Sequence, residues 1–237
     1  MAIRDKLVPF NDLFCVIKCD ALLFDLDGVL VNSKKCAEFH WLQWARNHQV
    51  DETEILRHAH GGRPIEIIHH VAPHLNAGIE ASAFEERDAL DTFGLERIDG
   101  ADKIIQSIPD GAYAVVTSTT QRTAITRLTF CGLPIPTILI TADAVKSGKP
   151  APEPYLIAAK KLRLAPAQCL VIEDSPIGIQ SASSAGMHVV AVTSTYSQAD
   201  LAKADVIINQ LNDIEILSSH DVSLGRFVVR LKPLRNI

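Results

Sequence analysis

Long apolar runs are missing: no uninterrupted stretch approaches the roughly 18 residues that a membrane-spanning helix needs. Also missing after Met1 is the charged segment followed by a short apolar core that directs export. Cysteine is scarce and scattered. Its five copies, Cys15, Cys19, Cys36, Cys131 and Cys169, are odd in number and lack the tight pairs with histidine that a zinc site would show, so they read as reduced thiols. Positive charge is in deficit: 23 Lys and Arg against 28 Asp and Glu give a net charge of −5, with no basic excess to neutralise nucleic-acid phosphates. Internal repeats and low-complexity segments are absent. A soluble, cytoplasmic protein is expected, a monomer or small homo-oligomer with neither membrane nor nucleic acid as a partner.

What is present begins with Ala21-Leu22-Leu23-Phe24, an almost wholly apolar run of the kind that forms a central strand covered on both faces of a parallel sheet. Asp25 and Asp27 follow it. Residues i and i+2 of an extended chain point the same way, so both carboxylates face one small volume at the sheet's carboxyl edge, where open α/β sheets place ligands. Gly28 lets the chain turn away. Two carboxylates this close repel when both are ionised, so the pair asks for a metal ion or a shared proton.

At 237 residues the chain can bury one sizeable core and carry a smaller inserted domain. Asn32 or Ser33 can cap a helix running to about Gln49, whose Ala37, Trp41, Trp44 and Ala45 recur at helical spacing; its aromatic residues read as core. The pattern stays helical over 51–99, with a short helix over 54–59, a break at Gly61-Gly62, Pro64 at a first helical position and a helix over 81–93 stopping at Gly94. The second half alternates strand and helix. Strands are expected at 113–117, 138–140, 170–172, 189–192 and 206–208, with helices over 121–131, 152–162 and from Ser175-Pro176 to Gly186. The expected fold class is α/β, a doubly wound parallel sheet with an inserted all-helical domain. Residues 1–31 and 99–237 form the core and 32–98 the insert, placed as a lid over the sheet edge. Phe14-Cys15-Val16-Ile17 reads as a strand or a packed lead-in, and the tail around Arg226-Phe227-Val228-Val229-Arg230 as an edge strand.

Three more polar sites follow strands. Thr117-Ser118-Thr119-Thr120 brings hydroxyls and N–H groups to a helix start, where they can cap the helix, hold an anion, or do both. Lys149 lies between Gly148 and Pro150, which favours a side chain held inward to neutralise charge over an ordinary surface lysine. Glu173 and Asp174 again put two acids at a strand's end. With Asp25 and Asp27 they form a cluster of four carboxylates that needs a cation, and all-oxygen ligation points to Mg²⁺.

Asp25-x-Asp27-Gly28-Val29, Thr117-Ser118, Gly148-Lys149-Pro150 and Glu173-Asp174-Ser175, in this order, resemble the four motifs of the haloacid-dehalogenase-like phosphohydrolases, over about 21–208. The helical insert is similar to the cap of the phosphoglycolate phosphatase and β-phosphoglucomutase branch. Within it, His60-Gly61-Gly62-Arg63, the stretch Ile140 to Pro150 and Glu153-Pro154-Tyr155-Leu156 look like the glycerol-phosphate and 2-deoxyglucose-6-phosphate phosphatases. The resemblance implies a Rossmann-like core and a small phosphorylated sugar or polyol as substrate. It implies Asp25 as nucleophile, Asp27 as acid and then base, and Ser118 with the Thr119 N–H as holders of the phosphoryl oxygens, with Lys149 balancing their charge. Mg²⁺ would lie on Asp25, the Asp27 carbonyl oxygen and Asp174, with Glu173 reaching it through water. Arg63 and His60, with Glu66, would meet the distal part of the substrate from the cap.

Two other readings stay open at this level. A mutase shares the four motifs and differs in its cap, which must hold a bisphosphate intermediate. A non-catalytic binding protein would be expected to have lost one of Asp25, Asp27, Lys149 or Asp174, and all four are present. The cap histidines, with His70 and His74 four residues apart, suggest transition-metal binding but read more simply as exposed or core residues.

Overall fold

The structure is a computed structural model that describes residues 8–11, 14–109, 111–218 and 227–234. Strands β1 (Val8–Asn11) and β2 (Phe14–Cys19) precede β3 (Ala21–Phe24), whose four residues are all buried. Strand β4 (Val31–Asn32) leads into four helices: α1 (Lys34–His48), α2 (Glu52–His58), α3 (Pro64–Val71) and α4 (Ala77–Asp88). Strand β5 (Glu96–Arg97) brings the chain back. Then come α5 (Ala101–Gln106), β6 (Tyr113–Val116), α6 (Gln121–Phe130), β7 (Leu139–Ile140), α7 (Glu153–Leu162), β8 (Cys169–Glu173), α8 (Pro176–Ser184), β9 (His188–Val192) and β10 (Val206–Ile208). Strands β11 (Ile214–Ser218) and β12 (Phe227–Leu231) follow.

Six strands form one parallel sheet in the order β10-β9-β8-β3-β6-β7, with β3 between β8 and β6. Period-2 alternation sends successive side chains to opposite faces. Leu22, Phe24, Val115, Leu170 and Ile172 pack on one side with α5, α6 and the second sheet; Ala21, Leu23, Val116 and Val171 pack on the other with α7 and α8. Double winding is thus written in the alternation itself. The four inserted helices bury a separate cluster, Trp41, Trp44, Ile55, Ile67, Ile68 and Phe84, in which the Trp41 and Phe84 rings stack with centroids 4.1 Å apart. No helix among the described residues is long and apolar enough to cross a membrane.

The structure departs from the sequence reading in four places. The tail strand is not an edge: β12 lies between β2 and β11 in a second, antiparallel sheet ordered β1-β2-β12-β11, and its Phe227, Val229 and Leu231 are buried. Helix α4 spans Ala77–Asp88 rather than 81–93, because the Asn76 side chain accepts the Ile79 N–H at 3.2 Å and caps the helix one turn earlier; Leu90 and Phe93 are exposed beyond its end. Residues 51–99 are not wholly helical, since β5 pairs antiparallel with β4 and ties together the two chain crossings between core and helical block. Finally, His74 lies past the end of α3, so His70 and His74 do not share a helix face; the His70 ring instead meets that of His58 at 4.8 Å, beside Glu54.

Candidate active site

The carboxyl edge of β3 is held in place by its neighbours. The Asp25 N–H donates to the Ile172 carbonyl of β8 at 3.0 Å, and the turn that follows depends on Gly28, whose φ is +82°. A Cβ at Gly28 would collide with Asp174 Oδ2, so the β3 and β8 ends can approach only because the residue has no side chain. Asp25 and Asp174 are each 3% exposed, while the Asp27 side chain remains 24% exposed.

Lys149 is turned inward and buried. Its Nζ donates to Asp25 Oδ1 at 2.8 Å, to Glu173 Oε1 at 2.6 Å and to the Val116 carbonyl at 3.1 Å, and stands 5.2 Å from the centroid of the Tyr155 ring. The Tyr155 hydroxyl donates to the same Glu173 oxygen at 2.9 Å. Glu173 Oε2 accepts from the N–H groups of Asp174 and Ser175 at 2.9 and 3.1 Å and from the Ser175 hydroxyl at 3.0 Å.

Charge at this point is unbalanced. Burial pushes Asp25 up to about 7, with Lys149 opposing and the charges of Glu173 and Asp27 adding. Burial, then the Glu173 and Asp25 charges, push Asp174 well above the usual carboxylate range. Burial opposes ionisation of Glu173 too, but Lys149 and the bonds from Ser175 and Tyr155 outweigh it and hold the group low. Lys149 likewise stays charged despite burial because Asp25 and Glu173 hold its proton. One ammonium therefore faces three buried carboxylates whose oxygens lie within 4.8 Å of one another, an arrangement that a divalent cation on oxygen ligands fits. Glu173 is expected to reach the ion through water. It is one of the three, yet both of its oxygens are already taken by protein donors.

Across the cleft, the Ser118 hydroxyl donates to the Gly61 carbonyl of the helical block at 2.7 Å, and the Thr119 N–H donates to Thr117 Oγ1 at 3.1 Å. Thr120 caps α6 by accepting the Thr123 N–H. His60 lines the cleft with Nε2 3.5 Å from Glu38 Oε1, and burial lowers its pKa against the pull of Glu38. Arg63 does not reach the cleft. Its guanidinium lies over Gly148, pairs with Glu66 Oε1 at 2.5 Å and donates to the Lys146 carbonyl at 3.2 Å, so its expected place against substrate is filled by a contact between helical block and core. The remaining cavity, about 330 Å³, is lined by Asp25, Asp27 and Asp174 below and by Trp41, His60 and Phe84 above.

Sequence reasoning missed Arg127 on α6. It is 3% exposed, its Nη1 lies 2.6 Å from Asp27 Oδ1, and its Nη2 donates to both oxygens of Asp88 at 2.7 and 2.9 Å. A signal existed. Arg127 falls on the helical stripe marked by Ala124, Leu128 and Cys131, and an arginine on a buried stripe requires carboxylate partners.

Comparison with known proteins agrees with this architecture. The chain is 36% identical over 205 residues to hexitol phosphatase A of Escherichia coli, covering 84% of this chain and 95% of that one. It is 32% identical over 228 residues to 2-deoxyglucose-6-phosphate phosphatase 2 of Saccharomyces cerevisiae, covering 85% and 92%. Among solved structures, a putative β-phosphoglucomutase from Bacteroides vulgatus superposes with a TM-score of 0.68 at 28% identity, covering 83% of this chain and 86% of that one. A family model described as haloacid dehalogenase-like hydrolase matches residues 22–192, from the middle of β3 to the end of β9, and takes in every buried carboxylate of the cleft. The chain belongs to the haloacid dehalogenase-like hydrolase family.

Proposed function

We propose that this protein is a phosphoric monoester hydrolase acting on a small sugar or polyol phosphate through an aspartyl-phosphate. The observation that carries the reading is a buried Asp25 held by Lys149 at the floor of the cleft between the sheet and the helical block. Asp25 attacks phosphorus, and the leaving alcohol oxygen takes a proton from Asp27. Asp27 then accepts a proton from the water that attacks the same phosphorus, which returns Asp25 as carboxylate and releases inorganic phosphate. Lys149 offsets the negative charge gathering around Asp25. Ser118 and the Thr119 N–H bind the phosphoryl oxygens by exchanging their present partners, Gly61 O and Thr117 Oγ1, for substrate. Asp25, Asp174 and the Asp27 carbonyl oxygen would hold Mg²⁺, which supplies charge neutralisation at the phosphoryl group. Glu173 fixes Lys149 and the start of α8, and would meet the ion through water.

The cavity volume lies in the lower range of small-ligand sites, and the relatives' names, a hexitol phosphatase and a 2-deoxyglucose-6-phosphate phosphatase, favour six-carbon phosphates. The neighbouring putative mutase raises a second reading. A mutase must hold a second phosphate in the cavity, and of the two cationic side chains that line it Arg127 is bound to two carboxylates, which leaves the half-exposed Lys34 alone to do so. Hydrolysis is therefore preferred. The test is phosphate release from hexitol, hexose and glycerol phosphates with Mg²⁺, with and without EDTA, in the wild type and in Asp25→Asn. Release that EDTA and the substitution each abolish supports the reading; isomerisation of a sugar phosphate without release overturns it.

A further inference from the structure

Asp27, Arg127 and Asp88 form a chain of charge that joins three parts of the molecule. Asp27 stands at the end of the central strand, Arg127 projects from α6, and Asp88 is the last residue of α4 in the helical block. The guanidinium is buried at the junction, with Asp27 at one terminal nitrogen and both Asp88 oxygens at the other. A second contact reinforces the junction: the Thr126 hydroxyl, one residue earlier on α6, donates to the Ala89 carbonyl just past α4 at 3.0 Å. Cys36 and His40 also approach Asp88 closely enough to suggest a metal site. Both Asp88 oxygens are already occupied by Arg127, so the arginine is the cation this carboxylate has.

A carboxylate that serves first as acid and then as base must present its oxygen to the leaving alcohol and later to water. Asp27 lies on the loop after β3 with about a quarter of its side chain exposed and the oxygen that faces Arg127 buried. Nη2 donates to both Asp88 oxygens, and this holds Nη1 against Asp27 Oδ1, a buried oxygen that accepts no hydrogen bond and has the guanidinium as its ion-pair partner. We propose that Arg127 is a positioning residue for proton transfer, which sets the orientation of the Asp27 carboxylate according to the position of Asp88 and therefore of the helical block. The proposal rests on the reading of Asp27 as acid and base. Its consequence is that general acid catalysis is available only while α4 is docked against α6.

The test uses leaving groups that differ in their need for a proton. Departure of an alkoxide requires one; departure of p-nitrophenolate does not. Release of the leaving group in a single turnover is measured for a hexitol phosphate and for p-nitrophenyl phosphate, with thermal melting as the check on folding. Asp27→Asn sets the scale, with a loss on the order of 100-fold or more on the alkyl ester and far less on the aryl ester. Arg127→Lys keeps the charge but cannot engage two carboxylates through separate fixed nitrogens. It is expected to slow the alkyl ester about tenfold or more and the aryl ester less than about twofold. Asp88→Asn, which retains the shape and leaves Arg127 in place, is expected to show the same split at several-fold. Equal losses on both esters in the Arg127 and Asp88 variants, with the split retained in Asp27→Asn, overturn the positioning role alone. Equal losses in Asp27→Asn overturn the assignment of Asp27 and the proposal with it.

Discussion

Lys149 is a buried ammonium whose removal would leave Asp25 and Glu173 facing each other without a counter-charge. Breaking a buried pair from one side costs about 3–5 kcal/mol, because the remaining charge keeps its desolvation penalty and loses its partner. Lys149→Met is therefore expected to lose stability on that order in urea denaturation of the metal-free enzyme, and, assayed with Mg²⁺, at least 100-fold in phosphate release. Unchanged stability would mean that the carboxylates are protonated and the lysine is not their counter-ion. Gly28→Ala makes a separate prediction. Its φ is in the left-handed region and its Cβ would displace the Asp174 carboxylate, so Mg²⁺ affinity should fall at least tenfold, read by titrating activity with the metal. Unchanged affinity would remove Asp174 from the ligand set. Asp25, Gly28, Glu173 and Asp174 stand out in the sequence because each lies where an apolar strand stops, and Lys149 because it lies between Gly148 and Pro150. Arg127 does not, since its meaning depends on Asp27 and Asp88, which only the fold brings to it.

Among the elements, strands were easier to place than helix ends. A buried parallel strand such as β8, Cys-Leu-Val-Ile-Glu, announces itself by unbroken apolarity, whereas the start of α4 depended on Asn76 acting as a cap. The misplacement of β12 has a clearer physical cause. Alternating burial describes an edge strand and a central strand of a one-sided sheet equally well; only pairing separates them, and pairing is not local. Val229 is fully buried and lies opposite both Ile17 of β2 and Ile216 of β11. Val229→Asp is expected to cost more than about 3 kcal/mol in urea denaturation, since an unpaired carboxylate would be forced between two strands. A loss below about 1 kcal/mol would return β12 to the sheet's edge.

At the scale of the whole molecule, the sheet and the helical block each bury their own core, and the site lies where the two meet. The change of pattern along the chain, from a helical stretch to alternating strand and helix, is what suggests a helical insert at the level of sequence. The way the block is fastened is not readable there, because the Ser118–Gly61, Arg63–Lys146 and Arg127–Asp88 contacts join residues with no common local signature. The price of assembling the cleft is a surplus of negative charge, and it couples stability to pH. The folded protein binds the Asp25 proton more tightly than the unfolded chain does, since the group moves from 3.8 to about 7 on folding. Below the lower value both states are protonated and the group is neutral to stability. As pH rises towards 7 the unfolded chain gives up its proton first, so folding becomes progressively less favourable. The shift corresponds to a loss on the order of 4 kcal/mol across that window, or on the order of 10 °C in melting temperature for a chain of this size. Asp174, shifted in the same direction, adds to it. Mg²⁺ favours the ionised folded state, so the melting temperature gained on replacing EDTA with Mg²⁺ should be small at pH 5 and largest at pH 8. Differential scanning across that range checks the sign: a gain that is constant with pH, or largest at pH 5, would show that the ion does not bind where Asp25 and Asp174 crowd together.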